Sequence, residues 1–175
     1  PLPGVVDEAL RLLGEKIEAK ALRVTRSVHD PPLTVQADRD KILQVFLNLS
    51  TNAIDAMPAG GRIKVHARQA GPRVEVRIAD TGAGISPEEM KRIHEPFYTT
   101  KQEGAGLGLA ITRSILWEAA GDMTVDSQPG RGTTVVVSLP VAGEAGATQA
   151  GATESTRPRT GPREGPGGGR RADVT

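Results

Sequence analysis

Hydrophobic and polar positions along the chain change period several times, and each change marks an element. Val6, Leu10, Leu13 and Ile17 recur at helical spacing, so "VVDEALRLLGEKIEAKAL" is predicted to be one amphipathic helix. Leu22, Val24 and Val28 then fall on one face at a spacing of two in "LRVTRSV", "HDPP" breaks the chain, and "LTVQA" offers another short strand. Asp38 is placed to cap a longer helix, "DRDKILQVFLNLSTNAIDAM", with Ile42, Val45, Phe46, Leu49, Ala53 and Ala56 on its apolar face.

Pro58 and the pair Gly60 and Gly61 end that helix. "RIKVHAR" and "RVEVRIAD" alternate cleanly, with Ile63, Val65 and Ala67 in one and Val74, Val76 and Ile78 in the other, which predicts a hairpin joined through "QAGP". Ser86, Pro87 and Glu89 spell the start of a short helix with a capping box. An irregular stretch, "HEPFYTTKQE", leads to "GAGLGL" and a further helix, with Gly121 placed as its C-cap. "DMTVDSQ", "PGRG" and "TTVVVSL" make a last hairpin. The order implies an α+β fold with one mixed sheet covered by helices.

Composition narrows the class. The 175 residues suit one ordinary domain, and 37% apolar residues allow a sizeable core. There is no cysteine, which excludes a disulfide framework or a thiolate zinc site. No apolar run approaches the roughly 20 residues that span a bilayer, and the start of the chain lacks a signal pattern, so a soluble, cytoplasmic chain is expected. Five of the 22 basic and four of the 21 acidic residues fall after Pro140, leaving 17 of each before it. That balance gives no concentrated basic face for nucleic acid. Residues 141–175 hold 11 Gly or Pro and no Ile, Leu, Met or aromatic residue, and are expected to form a disordered tail.

Three features carry candidate chemistry. Gly104, Gly106 and Gly108 would let backbone N–H groups approach an anion at the start of a helix, which suits phosphate. Asn48, Asn52 and Asp55 form a polar stripe on an otherwise apolar helix, and amide oxygens are hard donors suited to Mg²⁺ that also holds nucleotide phosphates. Asp80 stands at a strand end before the glycines at 82 and 84, where a carboxylate can accept from an exocyclic amine such as adenine's. Taken singly, each has an ordinary structural explanation: a loop, a self-satisfied helix face, a turn-capping aspartate.

Their order is more specific. "NLSTNAIDA" (48–56), "DTGAGI" (80–85), "EPFYTTK" (95–101), "GAGLGLAI" (104–111) and "GRGTTVVV" (130–137) resemble, box by box, the ATP-binding catalytic domain of bacterial sensor histidine kinases. That family lies within the superfamily that includes gyrase and the mismatch-repair ATPases. The resemblance covers about residues 5–140, and the spelling of "PFYTTK" and "GLGLA" looks most like the nitrogen-sensing type. It implies a two-layer α/β sandwich with a mixed, mostly antiparallel sheet. It also implies that residues 1–4 are a linker from a dimerisation domain, and that the chain is the C-terminal part of a larger kinase.

The resemblance also implies roles. Asn52 matches the magnesium-binding asparagine, with Asn48 as a second ligand or phosphate contact. Asp80 matches the adenine-selecting aspartate, Gly82 and Gly84 the floor under the base, and Thr133 a position in the water-bridged network around adenine. Lys101 matches a lid cation, and Gly104, Gly106, Leu107 and Gly108 the phosphate-side loop. The implied ligands are ATP and Mg²⁺. The implied partners are a histidine-bearing dimerisation domain, through which the parent kinase forms a homodimer, and a response regulator.

His94 departs from the family, which usually has phenylalanine there, and this puts lid packing in question. In the family the attacking histidine lies in a helical dimerisation domain; His29 lies by a turn, His66 on a strand and His94 in an irregular stretch. Asn48 stands where the gyrase-like branch has a water-activating glutamate, and an amide cannot act as that base. A nucleotide-gated docking module without transfer and an anti-sigma-type protein serine kinase are the alternative readings.

Overall fold

The structure, a computed structural model, describes residues 1–28, 33–93 and 107–143. Its elements are α1 (Leu2–Leu12), α2 (Gly14–Ala19), β1 (Arg23–Val28), α3 (Arg39–Ala56), β2 (Arg62–Ala70), β3 (Arg73–Asp80), α4 (Pro87–Met90), α5 (Gly108–Glu118), β4 (Asp122–Gln128) and β5 (Gly132–Pro140). The strands form one sheet in the order β1-β2-β3-β5-β4, parallel between β1 and β2 and antiparallel elsewhere. Helices α1, α3 and α5 pack side by side as the second layer, α3 against β3 and β5 and α5 against β4. This is the α+β sandwich that the sequence implies.

Alternation explains the sheet. Ile63, Val65, Ala67, Val74, Val76 and Ile78 are all buried, while Lys64, Arg68 and Arg77 between them are exposed. The register sets Val65 against Ile78 and Ala67 against Val76, so the apolar positions of both strands share one face. On α3, Ile42, Val45, Phe46, Leu49, Ala53 and Ile54 turn to that face and are buried. Each large side chain so buried contributes about 1.5–3 kcal/mol. Asp38 caps the helix as expected, its side chain accepting from the N–H of Asp40 at 2.9 Å and of Lys41 at 3.1 Å. Ser86 and Glu89 form the reciprocal capping box at α4.

Four local expectations change. The first helix is two: the backbone of Leu13 leaves helical geometry (φ −95°, ψ 7°) before Gly14, so α1 and α2 meet at a break. α1 also begins at Leu2, which is buried, so residues read as linker are helical. "LTVQA" forms no strand; Val35 makes an isolated bridge to Val141, beside an Ala142 N–H donated to the Thr34 carbonyl at 2.8 Å. Residues 141–142 therefore join the fold because β5 runs on to backbone partners that only the tertiary arrangement supplies. Residues 144–175 lie outside the described residues.

The fourth change concerns Gly121. The left-handed residue that ends α5 is Ala120 (φ 51°). Its N–H reaches the Trp117 carbonyl at 3.1 Å, and the Gly121 N–H reaches Leu116 at 2.7 Å. That pair of bonds is the Schellman arrangement. Space favours glycine at 121: a Cβ there would lie 2.6 Å from Leu139 Cδ2 and 3.0 Å from the Ser138 carbonyl oxygen.

One contact fixes the end of α3 that faces β3. Lys20, just past α2, donates through Nζ to the carbonyls of Ile54 at 2.8 Å and Met57 at 3.0 Å, with Asp55 at 3.4 Å. An ammonium is favoured at the negative end of a helix, and here it adds to the Met57 N–H, which also reaches the Ile54 carbonyl, at 3.3 Å. Lys20→Met keeps the length of the side chain and removes all three bonds. It is expected to lower stability by about 1.5–3 kcal/mol, the worth of a charged hydrogen-bonding group, in urea unfolding followed by circular dichroism, with Lys20→Arg recovering part of the loss.

Candidate functional site

The site begins where β3 ends. Asp80 closes β3 half-buried, and its Oδ1 accepts two backbone N–H groups, from Gly82 at 2.8 Å and from Thr133 at 3.2 Å. Burial pushes the Asp80 carboxyl above the ordinary carboxylate range, while the two N–H groups pull it the other way. Among the described residues, both donors to the Asp80 carboxylate use Oδ1.

The turn after Asp80 is squeezed between α3 and the β4–β5 turn. The Ala83 N–H bonds the Ala56 carbonyl at 3.0 Å, and the Gly130 N–H bonds the Ala83 carbonyl at 2.7 Å. A Cβ on Gly82 would lie 2.7 Å from the Ala56 oxygen, and one on Gly84 would lie 2.1 Å from the Gln128 oxygen. Gly84 also sits at φ 72°, a conformation side chains resist. These two glycines are where the sequence reading put them, and crowding by neighbouring backbone is the reason no other residue fits.

Across the cleft, β4 and β5 present hydroxyls. Thr133 lies opposite Ser127, with 2.8 Å between their side-chain oxygens. A cleft of about 230 Å³ is lined by Asp80, Asp126, Ser127, Gln128, Arg131, Gly132, Thr133 and Thr134. Ser127 and Gly132 were not legible as site residues. Counting register outward from the "PGRG" turn would have paired Ser127 with Thr133, but nothing in the sequence signals that a Cβ on Gly132 would meet the Asp80 carbonyl oxygen at 2.0 Å.

A second cluster lies farther back on α3. Asn48 Nδ2 donates to the carbonyl of Gly108 at 3.3 Å, with the hydroxyl of the buried Thr112 at 3.5 Å. The amide thereby ties α3 to the first turn of α5. A Cβ on Gly108 would sit 3.9 Å from Asn48 Cγ, so the helix start lies directly against that side chain. Leu107 is the N-cap and supplies no side-chain cap, leaving the first N–H groups of α5 to other partners. Asn52 is half-buried one turn beyond Asn48.

The structure thus brings Asp80, Gly82, Gly84 and Thr133 into one network, and Asn48, Leu107 and Gly108 into another. α3 joins them. From Asn48 to Ala56 it rises roughly 12 Å. Lys101, Gly104 and Gly106 lie outside the described residues, as does His94. Among the described residues no group of three or more His, Asp or Glu could hold a metal ion. Asn48 and Asn52 on α3 carry neutral amide oxygens, a donor type that fits a magnesium ion that brings anionic oxygens with it.

Residues 37–143, more than half of the chain and including both clusters, match the family described as histidine kinase-, DNA gyrase B-, and HSP90-like ATPase. The chain belongs to this family. Sensor histidine kinase ZraS of Escherichia coli K12 is 36% identical over 137 residues, which cover 78% of this chain and 30% of ZraS. The chain therefore spans about a third of the length of such relatives. Among solved structures, the catalytic domain of histidine kinase ThkA superposes with a TM-score of 0.72 at 31% identity, covering 79% of this chain and 91% of that one. ThkA has also been solved in complex with response regulator protein TrrA, with a TM-score of 0.70, 30% identity and coverage of 81% and 40%. Full-length ShkA in complex with AMPPNP matches with a TM-score of 0.71 at 29% identity, over 81% of this chain and 30% of ShkA.

Two outcomes follow from the crowding and the buried charge. Gly84→Ala places a methyl group against the Gln128 carbonyl at a positive φ, and is expected to lose about 2–4 kcal/mol in urea unfolding. For Asp80, the folded state holds the proton more tightly than the unfolded chain does. Its contribution to stability is full below its ordinary value of 3.8 and is lost as pH rises through the raised value. Asp80→Asn keeps an acceptor for both N–H groups and removes the buried charge. It is expected to melt at or above the wild type at pH 7, with the gap closing below pH 3.8; thermal melts at both pH values check this.

Proposed function

We propose that this chain is the nucleotide-binding catalytic domain of a sensor histidine kinase, binding Mg·ATP and delivering its γ-phosphate to a histidine on a separate dimerisation domain. The observation that carries the reading is Asp80. The Gly82 and Thr133 N–H groups both bond one carboxylate oxygen, which supports an amine-bearing base as the ligand of the other. Adenine offers that donor, and guanine offers a carbonyl in its place.

α3 gives the ligand its length. A nucleoside triphosphate has a base at one end and an anion at the other, and α3 runs from the Asp80 turn to the start of α5. Gly82 and Gly84 lie under the base, with Thr133 beside it. Asn52 and Asn48 would hold Mg²⁺ with the phosphates, where the ion neutralises the charge of the triphosphate. Leu107 and Gly108 open the α5 end, whose N–H groups and dipole favour an anion. Lys101, Gly104 and Gly106 would complete the phosphate side.

Phosphoryl transfer needs positioning more than covalent help from the protein. The acceptor imidazole nitrogen forms a P–N bond as the bond between the γ-phosphorus and its bridging oxygen breaks, leaving ADP, and the ring's other nitrogen gives up its proton to water. Asn48 supports transfer to a protein over hydrolysis, because an amide cannot take a proton from water and this one already donates to Gly108. The ThkA complex with TrrA supports a response regulator as the next phosphate acceptor. The parent kinase would dimerise through the histidine-bearing domain and present this domain on the cytoplasmic side, where ATP is. No described helix is long and apolar enough to cross a membrane.

Calorimetric titration of the chain with ATP and GTP, each with and without Mg²⁺, tests the reading. ATP is expected to bind in preference to GTP, more weakly without metal, and Asp80→Ala is expected to lose about 10–150-fold, the range for a charged hydrogen bond. Addition of a separate dimerisation domain should then yield acid-labile phosphohistidine. Acid-stable phosphoserine on a partner would favour the serine-kinase reading, and absence of saturable binding by a folded chain would end the proposal.

A further inference from the structure

Ser127 Oγ sits where three groups meet. The Ile85 N–H lies 2.9 Å away, the Gly132 carbonyl 3.1 Å and Thr133 Oγ1 2.8 Å. A serine hydroxyl owns one proton and two lone pairs. The Ile85 amide can only donate and the Gly132 carbonyl can only accept, so those two neighbours take one lone pair and the proton. What remains for Thr133 is a lone pair, which the Thr133 hydroxyl fills with its own proton. The reverse assignment, with Ser127 donating to Thr133, makes one bond fewer and leaves the Gly132 contact unmade.

We propose that Ser127 is a positioning residue that sets the direction of the Thr133 hydroxyl, so that Thr133, beside Asp80, offers lone pairs and not a proton to the cleft. This rests on the nucleotide reading above and specifies the chemistry of its base end. Thr133 and Asp80 line the same cleft, and the Thr133 N–H is itself bonded to Asp80 Oδ1. With the Thr133 proton committed to Ser127, Asp80 and Thr133 together present a carboxylate oxygen and hydroxyl lone pairs on this side of the cleft. An exocyclic amine meets that pair directly, and a water can bridge from Thr133 to a ring nitrogen by donating both protons. A ring carbonyl in the amine's place meets lone pairs with no proton between. Ser127 also holds Ile85, next to Gly84, so one side chain orders the glycine turn, the β4–β5 pair and the threonine together.

The full chain tests this in two ways. Proton NMR of the ligand-free protein is expected to show a slowly exchanging Thr133 hydroxyl resonance with a nuclear Overhauser contact to the Ser127 β-protons. Ser127→Ala should remove the resonance and Ser127→Thr should retain it. Calorimetry with ATP is then run on Ser127→Ala, Thr133→Val and the double variant, each first shown by its thermal melt to be folded. Each single change is expected to weaken ATP binding about three- to tenfold. The double loss should be smaller than the product of the two, because the hydroxyls act as a unit.

A Thr133 hydroxyl that exchanges freely in the wild type, unchanged affinity in Ser127→Ala, or losses that multiply would overturn the proposal. If Ser127→Ala does not fold, the wild-type resonance and Ser127→Thr decide the matter. A protected Thr133 hydroxyl in a chain that binds no adenine nucleotide would uphold the bond direction and sink the nucleotide reading alone.

Discussion

The last turn of α3 leaves carbonyl groups without helical donors, and the donors they find decide where the glycine turn can sit. Lys20 takes the carbonyls of Ile54, Asp55 and Met57, while Ala56, between them, receives the Ala83 N–H. The helix terminus is therefore both capped and docked. Asp80, Gly82 and Gly84 stand at fixed places because the turn they belong to is hydrogen-bonded to α3 on one side and to the β4–β5 turn on the other. Removal of either support would break one of the two backbone bonds that hold the turn in place.

The same packing makes the site costly. Asp80 keeps a charge where burial opposes it, with two N–H groups on one oxygen as partial compensation. Gly82, Gly84 and Gly132 each sit where a Cβ would collide with backbone rather than with a movable side chain. Such contacts cannot relax by a rotamer change, so these positions admit only glycine. Charge desolvation and glycine entropy both count against stability, and both fall at the end of the sheet where a ligand would meet the carboxylate.

α3 serves as the shared wall of the fold and of the site. Its buried stripe of Ile42, Val45, Phe46, Leu49 and Ala53 anchors it to the sheet. The adjoining stripe carries Asn48, which meets the start of α5, and Asn52 one turn farther on. Because one rigid helix carries both stripes, the distance between the Asp80 network and the start of α5 is set by helix rise and not by loop conformation.

Most elements were legible because their signals are local. Alternation marked β2 and β3, the 3.6-residue period marked α3, and short-range hydrogen-bonding rules marked the caps at Asp38 and Ser86. Asp80, Gly82, Gly84 and Thr133 were legible as candidate site residues through the order of their motifs, and the structure brings them into one network. The break at Leu13 and the left-handed Ala120 carried no glycine or proline signal of their own, and the unformed "LTVQA" strand meets Val141, a neighbour distant in sequence. The same holds for Lys20 over α3, Ser127 against Thr133, and Gly132 beneath the Asp80 carbonyl. Sequence by itself determined the periodicities, the caps and the residue types offered for chemistry, because those follow from bonds a few residues long. Tertiary structure alone decided which carbonyl meets which donor and which glycine is crowded, because those contacts form only when α3, β3 and the β4–β5 turn are brought together.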